Sequence, residues 1–233
     1  MIDVAKTPSA NAGLRCVQRF VGRVLVACEF SGVVRDAFAA RGWDAWSCDL
    51  LASEKPGNHY QGDVRDMLSE KWDMLIGHPP CTYLANSGAR WLFEKPGRWE
   101  LLDQSCAFFC ELMNAPIKHV AIENPWPHKW GMERIGRKPD CKIQPWEHGH
   151  EQKKTTCLWL RGLPILLPSK IVGPPPKDPL EAKRWESVWR EPPGENQAKN
   201  RSRTFPGIAA AMAKQWGNYA ANGKPSCGGE HDN

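Results

Sequence analysis

Short apolar runs in the first half of the chain are separated by longer stretches in which polar and apolar positions alternate with helical spacing. Val24–Cys28 is such a run, followed by a Ser31-Gly32 turn and a helical stretch over Val33–Arg41. Ala45–Leu50 reads as a second strand carrying Asp49 at its end. Met74–Ile76 reads as a third, entered from Lys71-Trp72-Asp73. A helix over Trp99–Met113 leads to a fourth strand, His119–Glu123. Strands alternating with helices predict parallel βαβ units in an open α/β sheet. Ligands in such sheets bind outside the carboxyl ends of the strands. The unusual residues fall there: Glu29 and Gly32 after the first strand, Asp49 closing the second, Cys81 after the third and Glu123 ending the fourth.

The second half has a different texture. Residues 168–200 are rich in proline, with a Trp-bearing segment at Leu180–Trp189, and so few residues cannot bury a core of their own. They read as an irregular insert. A helical pattern returns over Thr204–Tyr219. The expected organisation is an arm at 1–20, a main domain at 21–167, the insert at 168–200, a returning helix within 201–220 and a polar tail at 221–233.

Composition narrows the class. Of 233 residues, 41% are hydrophobic and 24% charged, the range of ordinary globular chains. No apolar run approaches the roughly 18 residues a membrane span needs, and no signal-like segment is seen, so a cytoplasmic protein is expected. The nine cysteines are odd in number, and Cys28 and Cys48 sit inside apolar runs, as buried thiols in a reducing compartment do. A net charge of +5 permits a polyanionic partner without demanding one. Basic residues gather in Lys129–Lys142 and Lys199–Arg203, each either a phosphate-binding face or a solvated one.

Candidate chemistry is concentrated in two motifs. In GHPPCTYLANSG (77–88), two prolines stiffen the backbone before Cys81 at the end of a buried strand. A cysteine there, near a helix N-terminus, would be activated as a thiolate; the alternative is a small buried side chain in a turn. In AIENPWP (121–127), a glutamate ending a buried strand is costly unless it has a partner or a task. Protonating N3 of a pyrimidine, to make C6 electrophilic, is such a task, and a low-dielectric pocket favours the protonated carboxyl. On the opposite side, Asp49 is placed to accept from a ribose and Asp63 to read an adenine amino group. Cys141, His148, His150 and Cys157 lie within 17 residues but lack paired metal-ligand spacing, and no metal is assigned to them.

In order, VACEFSG, WSCDL, GDV, HPPC, IENP and GHEQKK resemble the motifs of the DNA cytosine-5 methyltransferase family, over roughly residues 22–160. RSRTFPGIAAAMA (201–213) resembles that family's returning C-terminal motif, and the compact pattern looks like phage or prophage members. The resemblance implies a Rossmann-like fold that binds S-adenosylmethionine. It implies Cys81 as nucleophile and Glu123 as the N3 acid, with Pro80, Asn124 and Lys154 beside them. Glu29, Phe30, Ser31, Gly32, Asp49, Leu50, Asp63, Val64 and Pro79 would contact the cofactor. The implied partner is DNA, single- or double-stranded, its target base flipped out of the stack, and the enzyme a monomer in the cytoplasm, that of a bacterial host if phage-encoded.

Several features depart from that family. Only Gly32 remains of the glycine-rich loop, Asn124-Pro125 changes the context of the EN pair, and Thr156 holds one expected arginine position. The region between the basic motif and the returning helix is short, although base readout needs several side chains on a rigid support. Short or relaxed DNA specificity follows as an expectation. The same shortness leaves open a free deoxycytidine nucleotide as substrate, or a catalytically idle nucleic-acid-binding relative.

Overall fold

The computed structural model describes residues 20–194 and 196–222. Most of the expected arm and tail, residues 1–19 and 223–233, therefore lies outside the described residues. Seven strands form one sheet: β1 (Arg23–Ala27), β2 (Asp44–Asp49), β3 (His59–Gln61), β4 (Met74–Gly77), β5 (His119–Asn124), β6 (Cys141–Ile143) and β7 (Thr156–Arg161). Among the described residues seven helices accompany them: α1 (Val33–Ala39), α2 (Trp91–Glu94), α3 (Arg98–Asn114), α4 (Lys129–Ile135), α5 (Pro179–Arg184), α6 (Gln197–Ser202) and α7 (Pro206–Asn222). The strand order is β3-β2-β1-β4-β5-β7-β6, with β7 antiparallel to both its neighbours and the other pairs parallel. This is an α/β, Rossmann-like fold, a mostly parallel sheet with helices on both faces, as expected.

Period-two alternation splits the core between the two faces of the sheet. Val24, Val26, Met74, Ile76, Ala121 and Leu158 face α1 and α7, meeting Val34, Phe38, Met212 and Trp216. Leu25, Leu75, Val120, Ile122 and Trp159 face α3, meeting Leu102, Phe109 and Leu112. Central strands covered on both sides explain why their sequences read as unbroken apolar runs.

The first strand-to-helix turn is held by two buried charges. Gly32 caps α1 with φ 68°, a conformation that L side chains rarely adopt. Glu29 folds over the same helix start, accepting from the backbone N–H groups of Val34 at 2.7 Å and Arg35 at 3.1 Å, where the helix dipole favours an anion. Arg35, 1% exposed, donates to Ser47, Ser53 and the Pro56 carbonyl, tying α1 to the end of β2 and to the loop beyond it.

The proline-rich insert packs on the end of the basic motif. Trp185 is buried, its carbonyl accepts from Lys153 N–H at 2.6 Å, and Gln152 donates to the Arg184 carbonyl. The helical return begins at Pro206, two residues later than its sequence pattern suggests, and its second residue, Gly207, lies against the His148 backbone. A Cβ built there would sit 1.8 Å from the His148 carbonyl oxygen. Gly207→Ala therefore forces the start of α7 away from the His148 loop and should destabilise the fold by about 2 kcal/mol in urea unfolding, with the slope unchanged.

Candidate active site

The parallel register of β4 and β5, with Gly77 opposite Ile122, brings the segment after β4 beside the end of β5. His78 is the next residue on one side and Glu123 the next on the other. Their side chains meet: His78 Nδ1 lies 3.0 Å from Glu123 Oε2, with side-chain exposures of 8% and 14%. Asn124 Nδ2 donates to the Pro79 carbonyl at 3.1 Å, which fixes the Pro-Pro turn against β5. Cys81 follows, half-buried, its carbonyl accepting from the N–H groups of Leu84 and Ala85. The loop beyond it is pinned to the chain after β5, where His128 Nε2 meets the Tyr83 carbonyl and Ala85 bridges Pro127.

The antiparallel strand completes this corner. Because β7 runs against β5, its beginning lies at the ends of the parallel strands, with Asn124 opposite Cys157. Thr156 and Lys154 thereby reach the same corner. The Lys154 ammonium donates to the carbonyls of Arg201 at 2.8 Å and Arg203 at 3.3 Å, which draws the segment before α7 over the site.

Electrostatics set the resting protonation. Burial pushes the Glu123 carboxyl upward and is the largest single influence. The His78 hydrogen bond, the Lys154 charge and the Thr156 hydroxyl together outweigh it, and the group ends below its ordinary value. Glu123 is thus a carboxylate at rest, whereas its apolar surroundings in sequence suggested a retained proton. Burial first, and then the Glu123 charge, raise the Cys81 thiol, while Lys154 and Arg201 pull it down; the net shift is upward. The expected helix N-terminus is absent from Cys81, since residues 82–84 form a turn before a single 3-10 turn at Asn86–Gly88. Activation of the thiol therefore has to come from neighbouring charges.

Two clefts adjoin this corner. The larger, of about 240 Å³, is lined by Asp49, Leu50, Asp63 and Val64, with Pro80 from the cysteine turn. Sequence reasoning missed five of its walls: Cys28, Cys48, Gly62, Arg65 and Phe108. The two thiols are pushed up to about 12 by burial and by Asp49, so they line the cleft as neutral groups. The apolar strand pattern that marked both cysteines as buried was their signal. Asp49 accepts from Leu51 N–H at 2.9 Å. Asp63 is held low by the Arg65 backbone N–H and side chain. The smaller cleft is lined by Glu29, Phe30, Ser31 and His78 on one side and residues 202–204 on the other. Cys81, Glu123, Gly32, Pro79, Asn124 and Lys154 line neither cleft; Gly32 shapes the turn, and Pro79, Asn124 and Lys154 brace the corner that holds Cys81 and Glu123.

The zinc-like cluster is dispersed. His148 Nδ1 pairs with the Ser169 hydroxyl, and His150 Nε2 accepts from Gly207 N–H. Among the described residues no group of three or more His, Cys, Asp or Glu could hold a metal ion, and no helix is long and apolar enough to cross a membrane.

Among solved structures, the chain is similar to a candidate DNA modification methyltransferase encoded within an E. coli prophage. Identity is 18% and the TM-score 0.40, over 64% of this chain and 51% of that one, so the match spans about half that protein's length. WbdD, crystallised with a kinase inhibitor, is similar at 12% identity and a TM-score of 0.34, over 63% of this chain and 37% of that one. No family model and no curated protein matches the chain.

The opposed influences on Cys81 are separable by alkylation. Thiolate fraction grows with pH, so iodoacetamide labelling of Cys81, followed by peptide mass analysis, should rise at higher pH than for a free thiol near 8.5. At fixed pH, Glu123→Gln should quicken labelling severalfold and Lys154→Met should slow it. Equal rates in both variants would remove the electrostatic account.

Proposed function

We propose that this chain is an S-adenosylmethionine-dependent methyltransferase acting on C5 of cytosine in DNA, with short or relaxed sequence specificity. The observation that carries the reading is the meeting of Cys81 and Glu123 at adjoining strand ends, close enough for the carboxylate to raise the thiol. Its ordered motif resemblance supports the same chemistry.

The larger cleft fits the nucleoside part of the cofactor. Its walls are largely apolar, and two carboxylates at its rim offer acceptors to ribose hydroxyls and an adenine amino group. Asp49 and Asp63 would hold those groups, while Phe30 and Ser31, in the adjoining cleft, would face the amino-acid end. When bound, S-adenosylmethionine supplies an electrophilic methyl group on a sulfonium. Cys81 attacks C6 as a thiolate, forming a C–S bond and sending the ring's electrons toward N3. Glu123 places a proton at N3, which it must first acquire because it rests as a carboxylate. Lys154 lowers the cost of the thiolate, and Asn124 keeps the proline turn in register with the acid. Once C5 carries the methyl group and N3 has returned its proton to Glu123, loss of the C5 proton forms the C5–C6 double bond, breaks the C–S bond and leaves its electrons on Cys81.

Cations stacked on aromatic rings flank the cysteine loop. Arg98 lies over Tyr83 at 4.3 Å, and Lys142 over the exposed Trp126 at 4.1 Å, groups of the kind that contact phosphates and unstacked bases. The short insert supplies few side chains for base readout, which favours a short target context.

Transfer of radiolabelled methyl to duplex DNA, single-stranded DNA and deoxycytidine phosphates tests the proposal. Label is expected in DNA cytosine. Cys81→Ser should lose more than about 10³-fold in kcat, and Glu123→Gln about 10² to 10⁴-fold. A 5-fluorocytosine substrate should trap a covalent adduct on Cys81. Label confined to free nucleotides would move the substrate to the nucleotide pool, a long strict consensus would overturn relaxed specificity, and no label and no adduct would leave a binding protein.

A further inference from the structure

Rings and cations recur together around the cysteine loop. Lys142 lies 4.1 Å from the centre of the Trp126 ring, and Arg98 lies 4.3 Å from that of Tyr83. At α2, Trp91 carries two cations, Arg90 at 4.1 Å and Lys95 at 4.4 Å. Lys129 lies 4.6 Å from the Trp130 ring. Among the described residues none of these five cations pairs with a carboxylate, although Glu94, Glu100 and Glu133 belong to the same helices. Arg134, which rests over Trp99, differs in being taken by Asp103. A ring face attracts a cation without cancelling its charge, so the other five keep theirs for an anion.

These pairs form one connected surface beside the reactive corner. Lys142 on β6 stands opposite Cys157, and Cys157 opposite Asn124, the neighbour of Glu123. Trp126 is tied to the cysteine loop through Asn86, whose amide donates to its carbonyl at 3.4 Å. Arg98 donates to the carbonyl of Thr82, the residue after Cys81, at 3.3 Å. Beyond it, Phe93 packs edge-on against Trp99 and Trp130, with ring centres 5.5 and 5.1 Å away. Phe93 is nevertheless 67% exposed, and Trp126 40%. Rings held by neighbours and open to solvent take a flat partner with little further loss of freedom.

A duplex keeps the faces of its bases stacked on one another and offers a protein only edges and phosphates. Several ring faces interleaved with cations suit unstacked bases on a flexible backbone instead. A free nucleotide, with one base, engages one such ring and leaves the rest without use. We propose that the surface running from Lys142 and Trp126 across the cysteine loop to Phe93 and Trp91 is a stacking platform for single-stranded DNA. Its rings hold the bases that flank the target cytosine, and its cations hold the phosphates between them. This rests on the cytosine-methylation reading above and names the form of its substrate. Stacking tolerates any base, so the platform grips a strand with little regard to sequence, and the target need not be drawn out of a duplex.

Fluorescence anisotropy of the full chain tests the platform, with a labelled single strand of about 12 nucleotides and the duplex of the same sequence. At about 0.15 M salt the strand should bind about tenfold or more tighter than the duplex. Phe93→Ala and Trp126→Ala should each weaken the strand about tenfold and leave the duplex unchanged, and Trp126→Phe should restore most of the loss. Lys142→Gln should lower the salt slope for the strand by about 0.7. The urea midpoints of these variants should match that of the unaltered chain, since the altered side chains are exposed. A duplex bound as tightly as the strand, or ring variants that weaken both forms equally, overturns the platform. Methyl transfer separates the two readings. Label is expected to enter the strand faster than the duplex, and the reverse order overturns the platform alone. Strand binding as described, with no label and no 5-fluorocytosine adduct, overturns the methyltransferase reading and leaves the platform as a binding surface.

Discussion

The whole site depends on the register between β4 and β5. Gly77 opposite Ile122 is a tight fit, since a Cβ on Gly77 would come within 2.8 Å of the Ile122 side chain. That closeness sets the strand ends side by side, so His78 and Glu123 emerge as neighbours and the Pro-Pro-Cys turn lands against Asn124. A slip of one residue would send Glu123 to the opposite face of the sheet. Glu123 would then leave both His78 and Lys154, and an unpaired buried carboxylate would remain.

The corner built on that register is charged in a balanced way. Glu123 carries the negative charge, Lys154 answers it, and Cys81 feels both. The two demands of the proposed chemistry, a thiolate and a nearby acid, conflict while Glu123 is ionised. Proton delivery to Glu123 relieves that conflict, because it removes the charge that raises the thiol. Nucleophile and acid are therefore made ready by one event, and an idle site keeps its sulfur protonated.

Much of this was legible in the chain, for identifiable reasons. Strands β1, β2, β4 and β5 are buried on both faces and announce themselves as apolar runs, and the residues at their ends mark the ligand side. Strand β3 was missed because His59–Gln61 is three residues long and carries no buried apolar side chain. Helix α4 was hidden by the basic residues of Lys129–Ile135, which suggested only a charged surface. Glu29 looked like a ligand contact, yet its carboxylate is spent on the α1 backbone, a use that only the turn geometry reveals. His78 lay in plain view beside Pro79, but its partner is 45 residues away and depends on strand order. The protonation of Glu123 misled for a related reason: burial was readable, and the His78, Lys154 and Thr156 side chains that outweigh it come from distant parts of the sequence.

The antiparallel β7 has a consequence for how the protein comes into being. A ribosome releases Cys81 and Glu123 early, and both could sit on a nascent α/β sheet. Lys154 follows only with the strand that runs back along β5, and its ammonium finds its carbonyl partners later still, at Arg201 and Arg203. Until then the thiol and the carboxylate face each other without their counter-charge. A growing polypeptide thus carries Cys81 and Glu123 well before the segments that bring Lys154 and its carbonyl partners to the same corner.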